Sequence, residues 1–517
     1  MTWKREVEEL ERRRTLAKKM GGEEGIARQR ERGKLTVRER VAGLSDETSF
    51  REFMGLVGDA TYQDNELDSF LPKASVEGMA KVDGRKIVIS ASDFTVRGGS
   101  GGGQGGLGQE LSSSRRAQEW LIPYVRLLDA AGGSVRSFEE IGRTYLPDGN
   151  IWSAVDVDLL SQVPVVSAVL GSVAGLPAIN ACFAHFNLML KDKSHLFPGG
   201  PPVVKAALGY DITKEALGGD QIHVRKSGSV DNLAIDEEHA FAQIRSFLSY
   251  LPSNVWEMAP RGDTSDPPAR KEKSLLEIVP KNPRQVYDAK KIINAVVDQT
   301  SFFEIAPHYG KARTTGLARL NGYPVGVMAN NPMYKGGTTD VAAGNKVMRL
   351  IQLCNTFHLP MVSFADEPGF MVGLDSELQG IERAGARLVA TTTQSWMPWL
   401  TIVVGKLYGV AGQCQQRPSG MFRRYAWPSA NWGSMHIAGG AAAAYRREIE
   451  SAPDPEAKRV EIESRLNALA SPFKTAEATG QDIIDPRESR SVAVEFVEEA
   501  QRILLTQLGP PRIPYMP

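Results

Sequence analysis

The chain has 517 residues, enough for two to four domains at roughly 150 residues each and for more than one sizeable core. Hydrophobic residues make up 42%, charged residues 24% and aromatic residues 8%, which excludes collagenous, coiled-coil and wholly disordered chains. Lys and Arg together number 61, as do Asp and Glu, so no excess charge favours duplex nucleic acid or an anionic membrane; a local basic patch could still hold a phosphorylated small molecule.

From Met1 to Met20 the chain is dense in Arg, Lys and Glu and lacks the apolar stretch of a signal peptide. Cys182, Cys354 and Cys414 are too few and too widely spaced for a disulfide framework or a four-ligand zinc site, so a reducing compartment, the cytoplasm, is expected. The charged span Glu6 to Arg40 predicts surface or interface helices, and the apolar run Arg85–Ser90 predicts a strand. The glycine run Gly98 to Gly108 has no Gly-Lys-Ser/Thr behind it, which argues against a mononucleotide loop. It leads into Ser112-Ser-Ser-Arg-Arg116, a predicted helix start. There Arg115 and Arg116 could bind the phosphates of a CoA-like ligand or simply form a solvated basic face.

Val163 to Met189 contains no Asp, Glu, Lys or Arg and exceeds the ~20 residues that span a bilayer. Gly171, Gly175, Pro177 and Asn180 interrupt it, and His185 and Asn187 lie inside it, so a buried strand, a tight turn and a buried helix are predicted instead. Further strands are predicted at Pro324–Ala329, Leu359–Phe364 and Leu400–Val404, alternating with amphipathic or small-residue stretches, the pattern of an α/β fold with buried strands. Asp366-Glu-Pro-Gly-Phe370 follows one of them and reads either as a strand-end active-site loop or as a cap of the next helix. Pro455 to Ala470 and Val492 to Leu508 show helical spacing.

The chain repeats itself. Asp46-Glu-Thr-Ser-Phe-Arg-Glu-Phe53 recurs as Asp298-Gln-Thr-Ser-Phe-Phe-Glu-Ile305, and Val82-Asp-Gly-Arg-Lys-Ile-Val-Ile-Ser90 as Leu320-Asn-Gly-Tyr-Pro-Val-Gly-Val-Met328. Val163-Pro-Val-Val-Ser-Ala-Val-Leu-Gly171 with Gly175 recurs as Met397-Pro-Trp-Leu-Thr-Ile-Val-Val-Gly405 with Gly409. Preserved order at a slowly drifting offset indicates two tandem copies of one fold, with a boundary in the Pro- and charge-rich stretch Met258 to Lys273. The expected domains are 1–260 and 261–517.

Each copy ends a buried strand in glycine and starts a helix of small residues: Gly171-Ser-Val-Ala-Gly175-Leu176-Pro177-Ala178 in the first, Gly405-Lys-Leu-Tyr-Gly409-Val410-Ala411-Gly412 in the second. The first amides of such a helix lack intrahelical partners and sit at the positive end of its dipole. Aimed at a thioester carbonyl they would steady an enolate, an effect worth roughly 3 to 4 kcal/mol per donor. The competing reading is that glycine only permits close packing. His185, His195, His223 and His436 lack metal-ligand spacing and read as packed or hydrogen-bonding residues; no metal site is expected. The Gly-x-Ser-x-Gly match at Gly98 to Gly102 lies within the glycine run without a strand-to-helix elbow, which gives serine hydrolase chemistry little support.

A series of ordered segments resembles the carboxyltransferase (β) subunit of biotin-dependent acyl-CoA carboxylases, the propionyl-CoA, methylcrotonyl-CoA and geranyl-CoA group. They are Arg32-Gly-Lys-Leu-Thr-Val-Arg-Glu-Arg40, Asp93-Phe-Thr-Val-Arg-Gly-Gly-Ser100, Leu217-Gly-Gly219, Ser249-Tyr-Leu-Pro-Ser-Asn254, Ile278-Val-Pro280, Asp366-Glu-Pro-Gly-Phe370, Gly380-Ile-Glu-Arg-Ala-Gly-Ala386 and Tyr425-Ala-Trp-Pro428. The similarity runs from about residue 1 to 510. The resemblance implies two crotonase-like (ClpP/crotonase superfamily) domains, with the acyl-CoA thioester on the first and carboxybiotin on the second. It also implies an active site between halves of neighbouring subunits in a hexameric core. Gly175 and Leu176 would supply the first oxyanion donors, with Gly132 and Gly133 nearby, and Val410 and Ala411 the second. In such enzymes carboxybiotin releases CO2, the ureido anion takes the α-proton, and the enolate attacks CO2, so no side-chain base is needed. The biotin-attachment motif Ala-Met-Lys-Met does not occur in this sequence, so biotin is expected on a partner biotin carboxylase/biotin carboxyl carrier (α) subunit.

The chain departs from the family pattern at Ala174-Gly-Leu-Pro177, where proline can donate no N–H, at Ala130-Ala-Gly-Gly-Ser134, and at Gly409-Val-Ala-Gly412. Gly412 and Gln413 fall where the family places acyl-pocket side chains, so lost bulk there predicts a larger, branched or aromatic acyl-CoA rather than propionyl-CoA. The alternative functions are a biotin-dependent decarboxylase or transcarboxylase subunit and a CoA-binding scaffold without turnover.

Overall fold

The computed structural model describes residues 2–99, 112–133, 139, 142–144, 149–282, 285–415 and 420–517. Most of the glycine run after Gly99, and Ser134, lie outside the described residues. The chain divides into two compact units, Met1–Glu257 and Met258–Met516.

In the first unit the strand order is Arg51–Phe53, Ser75–Val82, Arg85–Ser92, Tyr124–Leu128, Val165–Val169, Phe186–Leu190 and Asn232–Ala234. The first three pair antiparallel and the rest parallel. The second unit repeats this with Phe303–Ile305, Arg313–Leu320, Tyr323–Asn330, Met361–Glu367, Trp399–Tyr408, Phe422–Ala426 and Asp482–Ile483, again two antiparallel pairings followed by parallel ones. The parallel strands are covered on both faces, which is why they read as unbroken apolar runs: every residue of Tyr124–Leu128 and of Val165–Val169 is buried. In the second unit Val327, Val362, Leu400 and Ile402 meet Trp427, Phe496 and Val497 in one core.

The repeated segments mark one construction made twice. The hairpin between the second and third strands turns at Asp83-Gly84 (φ 49° and 80°) in one unit and at Asn321-Gly322 (φ 48° and 80°) in the other. Two successive positive φ values give the tight turn whose twist matches the strands, and Gly and Asn/Asp are the residues that adopt it. Asp46 closes the first turn, its carboxylate accepting from the Asp83 and Gly84 amides at 2.9 and 2.8 Å. Asp298 accepts from Asn321 and Gly322 at 3.0 and 2.8 Å. An arginine from a later helix holds each carboxylate: Arg245 of Glu237–Ser249, which also donates to the Leu44 carbonyl, and Arg490 of Ser489–Leu505, which donates to the Val296 carbonyl.

One expectation changes. The uncharged span Val163 to Met189 holds more strand than predicted: after Val165–Val169 come the short strand Ser172–Ala174, a helix Leu176–Cys182 that leaves Leu176 and Ile179 exposed, and the buried strand Phe186–Leu190. Uncharged composition reported burial of the two sheet strands, not a buried helix. In the Met258 to Lys273 stretch Arg490 donates to the carbonyls of Asp266 and Pro267, and Arg270 pairs with Asp266 at 2.8 Å. At the N-terminus three helices form, Lys4–Lys18, Gly22–Glu31 and Val37–Leu44. The last is fixed by a reciprocal capping box between Thr36 and Glu39 and sends the buried Arg40 inward. Pro455–Asn467 and Ser489–Leu505 are helical, close to the predicted spans.

Candidate functional site

The strand-end glycines have a structural cause common to both units. A Cβ on Gly171 would overlap the carboxylate of Asp129, and one on Gly405 the carboxylate of Asp366. Each carboxylate is buried at the end of the neighbouring strand and is paired. Asp129 meets Lys34 at 3.2 Å and Arg40 at 3.1 Å, and Arg40 also binds Glu237 at 2.7 Å. Burial pulls the Lys34 ammonium down against the pull of Asp129. Asp366 accepts from the Lys406 amide at 2.7 Å and from the Tyr287 hydroxyl at 3.0 Å; burial, with Asp366 beside it, raises the Tyr287 phenol well above its ordinary value. Of the two readings of Asp366–Phe370, the structure excludes the helix cap and places both carboxylates at the strand end. Asp366 and Glu367 end the strand itself, and Glu367 is locked by Arg313 and Thr339. Neither caps the next helix, Leu374–Leu378, whose N-cap is Gly373.

Beyond these glycines the two turns differ. In the first unit Ser172–Ala174 pairs with His195–Phe197 and delivers the chain to Gly175, which has φ 68° and ψ −139°. Gly132, with φ 83°, packs its bare Cα against this loop: a Cβ on it would lie 2.6 Å from the Ala174 carbonyl oxygen, and one on Gly175 would lie 3.8 Å from the Gly132 Cα. The two glycine segments predicted to neighbour each other do so, and Gly133 faces open space. The Gly175 amide, expected as an oxyanion donor, is committed instead to the carbonyls of Phe197 and Pro198 at 3.2 and 3.1 Å. Pro177 has no amide proton, and the Ala178 amide returns to the Gly175 carbonyl at 2.9 Å. Of the first helical turn, Leu176 alone keeps an amide outside the helix's own bonding.

In the second unit Trp399–Tyr408 runs through Gly405 without a break into the helix Gly409–Gln413, with Tyr408 as N-cap and Gly409 at φ 59°. Gly409, Val410 and Ala411 occupy its first turn, where amides have no intrahelical acceptor. Val410 is exposed and Ala411 buried. The Tyr408 hydroxyl donates to Asn431 at 2.9 Å and its ring stands edge-on to His436 at 5.5 Å; burial, then Asp366, pushes the phenol up to about 12. A Cβ on Gly412 would meet Leu407 at 3.3 to 3.4 Å, so a larger residue there would require Leu407 to shift by a few tenths of an ångström. Gln413 is exposed.

The arginines of the Ser113–Trp120 helix are engaged locally. Arg115 pairs with Glu119 at 3.2 Å and donates to Gln118, and the Arg116 guanidinium sits 4.3 Å over the ring of Phe53. Ser112 caps this helix as predicted. His185 bridges the Val165 amide and the Leu160 carbonyl, and His223 approaches the Leu196 carbonyl at 2.6 Å. A further grouping had no sequence signal: Ser172, His195, Lys214 and Glu215 converge although no motif spacing links them.

Residues 28–503 match the model of the carboxyl transferase domain. The chain belongs to that family. This carboxyltransferase is 35% identical over 501 residues, 95% of each chain, to the carboxyltransferase subunit of propionyl-CoA carboxylase from Haloferax mediterranei. It is 33% identical to methylmalonyl-CoA decarboxylase subunit alpha of Veillonella parvula, over 95% of each chain. Its fold superposes on the transcarboxylase 12S subunit, solved as a hexamer with methylmalonyl-CoA bound, with a TM-score of 0.87 at 31% identity, covering 97% of this chain and 96% of that one. The carboxyltransferase is thus built of two tandem crotonase-like domains, and its activity is that of the biotin-dependent acyl-CoA carboxylases. Among the described residues no helix is long and apolar enough to cross a membrane.

Proposed function

We propose that the protein transfers a carboxyl group from carboxybiotin to the α-carbon, or the vinylogous carbon, of an acyl-CoA. The acyl-CoA is held by the domain 1–260, and biotin arrives at 261–517 on a partner biotin carboxylase/carrier subunit. Carboxybiotin supplies the carboxyl group and, once that group has left, the base for the α-proton. The chain's own contribution is electrostatic: main-chain N–H groups aimed at the atoms where negative charge develops. The second turn fits such a role, because the Gly409–Gln413 helix begins with three amides free of intrahelical bonds, Val410 and Ala411 among them. In the first unit Leu176 is the donor, assisted by the Gly132–Gly133 loop that touches the same turn. With the Gly175 amide spent, Gly175 serves by its backbone shape, directing the chain so that the Leu176 amide faces outward. Gly409, Gly412 and Gln413 line the second turn, and Arg115 and Arg116 offer charge to the CoA phosphates once their local partners give way. A hexameric, cytoplasmic assembly whose active sites lie between neighbouring subunits accompanies this reading.

The single observation that carries the proposal is the pair of glycine-gated turns at matching strand ends in a chain that matches a carboxyltransferase family over most of its length. The test is reconstitution with the partner subunit, ATP and bicarbonate against a panel of acyl-CoA esters, read by mass spectrometry. A carboxylated acyl-CoA is expected. Binding of acyl-CoA without turnover across the panel would favour a scaffold, and decarboxylation of a malonyl-type ester without the forward reaction would reverse the assigned direction.

A further inference from the structure

We propose that Ser172, His195, Glu215 and Lys214 form a second reactive centre, in which Ser172 accepts an acyl group from a thioester or an activated ester. The strands Ser172–Ala174 and His195–Phe197 lie parallel with Ser172 directly opposite His195. The Ser172 hydroxyl is 3.1 Å from His195 Nδ1. On the far side of the ring Nε2 is 3.2 Å from Glu215 Oε1. Lys214 Nζ reaches the same serine oxygen at 3.4 Å. A carboxylate at Nε2 favours the tautomer protonated there, which leaves the Nδ1 lone pair turned to the serine hydroxyl. Nucleophile and base therefore stand within hydrogen-bonding distance, with the acid at ion-pair distance from Nε2 although no aligned hydrogen bond joins them. The ammonium beside the serine oxygen supplies positive charge where the oxyanion of a tetrahedral intermediate would form.

The environment supports the same reading. The His195 side chain is 8% exposed, whereas that of Glu215 is 64% exposed, so the base is shielded while its orienting partner borders solvent. Burial holds the imidazole below its ordinary pKa and hence neutral near pH 7. Three residues of extended chain separate Ser172 from Gly175, about 10 Å at ~3.3 Å per residue, so a carbonyl held at the Gly175–Leu176 turn is out of reach of this serine. The centre is thus distinct from the site of carboxyl transfer and independent of the function proposed above.

The step balances without an outside oxidant or reductant. Ser172 Oγ bonds to the acyl carbon as its proton passes to His195 Nδ1; the carbon–sulfur bond breaks, and the thiolate leaves with that proton. Water then attacks the serine ester and gives its proton to His195; the acyl carbon–Oγ bond breaks, His195 returns that proton to Ser172 Oγ, and the carboxylic acid leaves. The net reaction is thioester plus water to acid plus thiol.

The test uses the full-length protein without any biotin partner, treated with a fluorophosphonate probe and mapped by peptide mass spectrometry. An adduct on Ser172 is expected. Ser172→Ala should abolish it, and Glu215→Gln, a change at an exposed side chain, should slow labelling at least tenfold. Hydrolysis of p-nitrophenyl acetate should fall in parallel. Absence of the Ser172 adduct in the unmodified protein, or labelling of Glu215→Gln at the unmodified rate, would overturn the proposal whether or not the Ser172→Ala protein folds.

Discussion

The Gly171–Cys182 turn and the Gly405–Gln413 turn descend from one design and solve it differently. In the second unit a single strand, Trp399–Tyr408, pairs with Met361–Glu367 and Phe422–Ala426 and then, through Lys406–Tyr408, with Asn431–Gly433. In the first unit the equivalent strand ends at Val169, and Ser172–Ala174 separates into its own two-stranded sheet with His195–Phe197. The consequence is a difference in donor supply. The continuous strand feeds a helix with three first-turn amides, whereas the broken one spends the Gly175 amide on Phe197 and Pro198 and loses another position to Pro177. What is shared is the glycine that admits a buried carboxylate; what diverges is the segment exposed to ligand. Close packing constrains the first, since a methyl group has nowhere to go, while the second tolerates change.

The largest effect that can test this contrast is on catalysis. Ala411→Pro should lower carboxyl transfer about 10² to 10³-fold while acyl-CoA binding persists, as measured by steady-state kinetics of the reconstituted complex. Leu176→Pro should be comparably damaging because the first turn has no second amide in reserve; activity retained in either variant would remove that residue from the assigned donors. Next come the strand-end glycines. Gly171→Ala should destabilise its unit by about 3 kcal/mol and Gly405→Ala by about 2 kcal/mol in urea unfolding. The order follows from Asp129 being locked by Lys34 and Arg40 together, while Asp366 has the more adjustable Tyr287 and Lys406. An equal cost would show that the two carboxylates are equally yielding.

The duplicated hairpin clasps should differ in the same way. Asp298→Asn leaves Arg490, 1% exposed, with only its longer 3.4 Å pairing to Asp266 and should cost about 2 to 3 kcal/mol, whereas Asp46→Asn leaves the part-exposed Arg245 still paired with Asp83 at 2.9 Å and should cost about 1 kcal/mol. The smallest expected effect is on pH dependence, and it falls on the first unit. Burial lowers the pKa of both His195 and His223 below the ordinary 6.5. Between the folded and unfolded values the unfolded chain binds more protons, so stability contributed by these residues is present above about 6.5 and declines as pH falls below it. Amide protection factors at the His195–Phe197 strand, corrected for the intrinsic slowing of exchange in acid, should fall on acidification from pH 7 to 5, with no matching change at Asn431–Gly433, whose first residue is asparagine rather than histidine.

Much of the fold was legible because its determinants are local or periodic. Apolar runs such as Val165–Val169 and Tyr323–Asn330 encode buried strands. The repeated Asp46 and Asp298 segments encode the same hairpin clasp, and Ser112 encodes a helix start. The two glycine turns were legible in the same sense, as strand-end punctuation. The use of each amide was not. That the Gly175 N–H goes to Phe197 and Pro198, that Leu407 lies against Gly412, and that Asp129 and Asp366 sit under the strand-end glycines all depend on residues brought close by folding.

The Ser172, His195 and Glu215 grouping was invisible for the same reason: its members come from a strand, a second strand and a short helix, joined by no fixed spacing. By itself the sequence determined a doubled α/β scaffold, its buried strands and the positions of its turns, because burial and turn conformation leave a signature in neighbouring residues. Only the tertiary structure decided which donors remain free and which side chains meet. Hydrogen-bond commitment and steric exclusion are settled between segments far apart in the chain, where no local pattern records them.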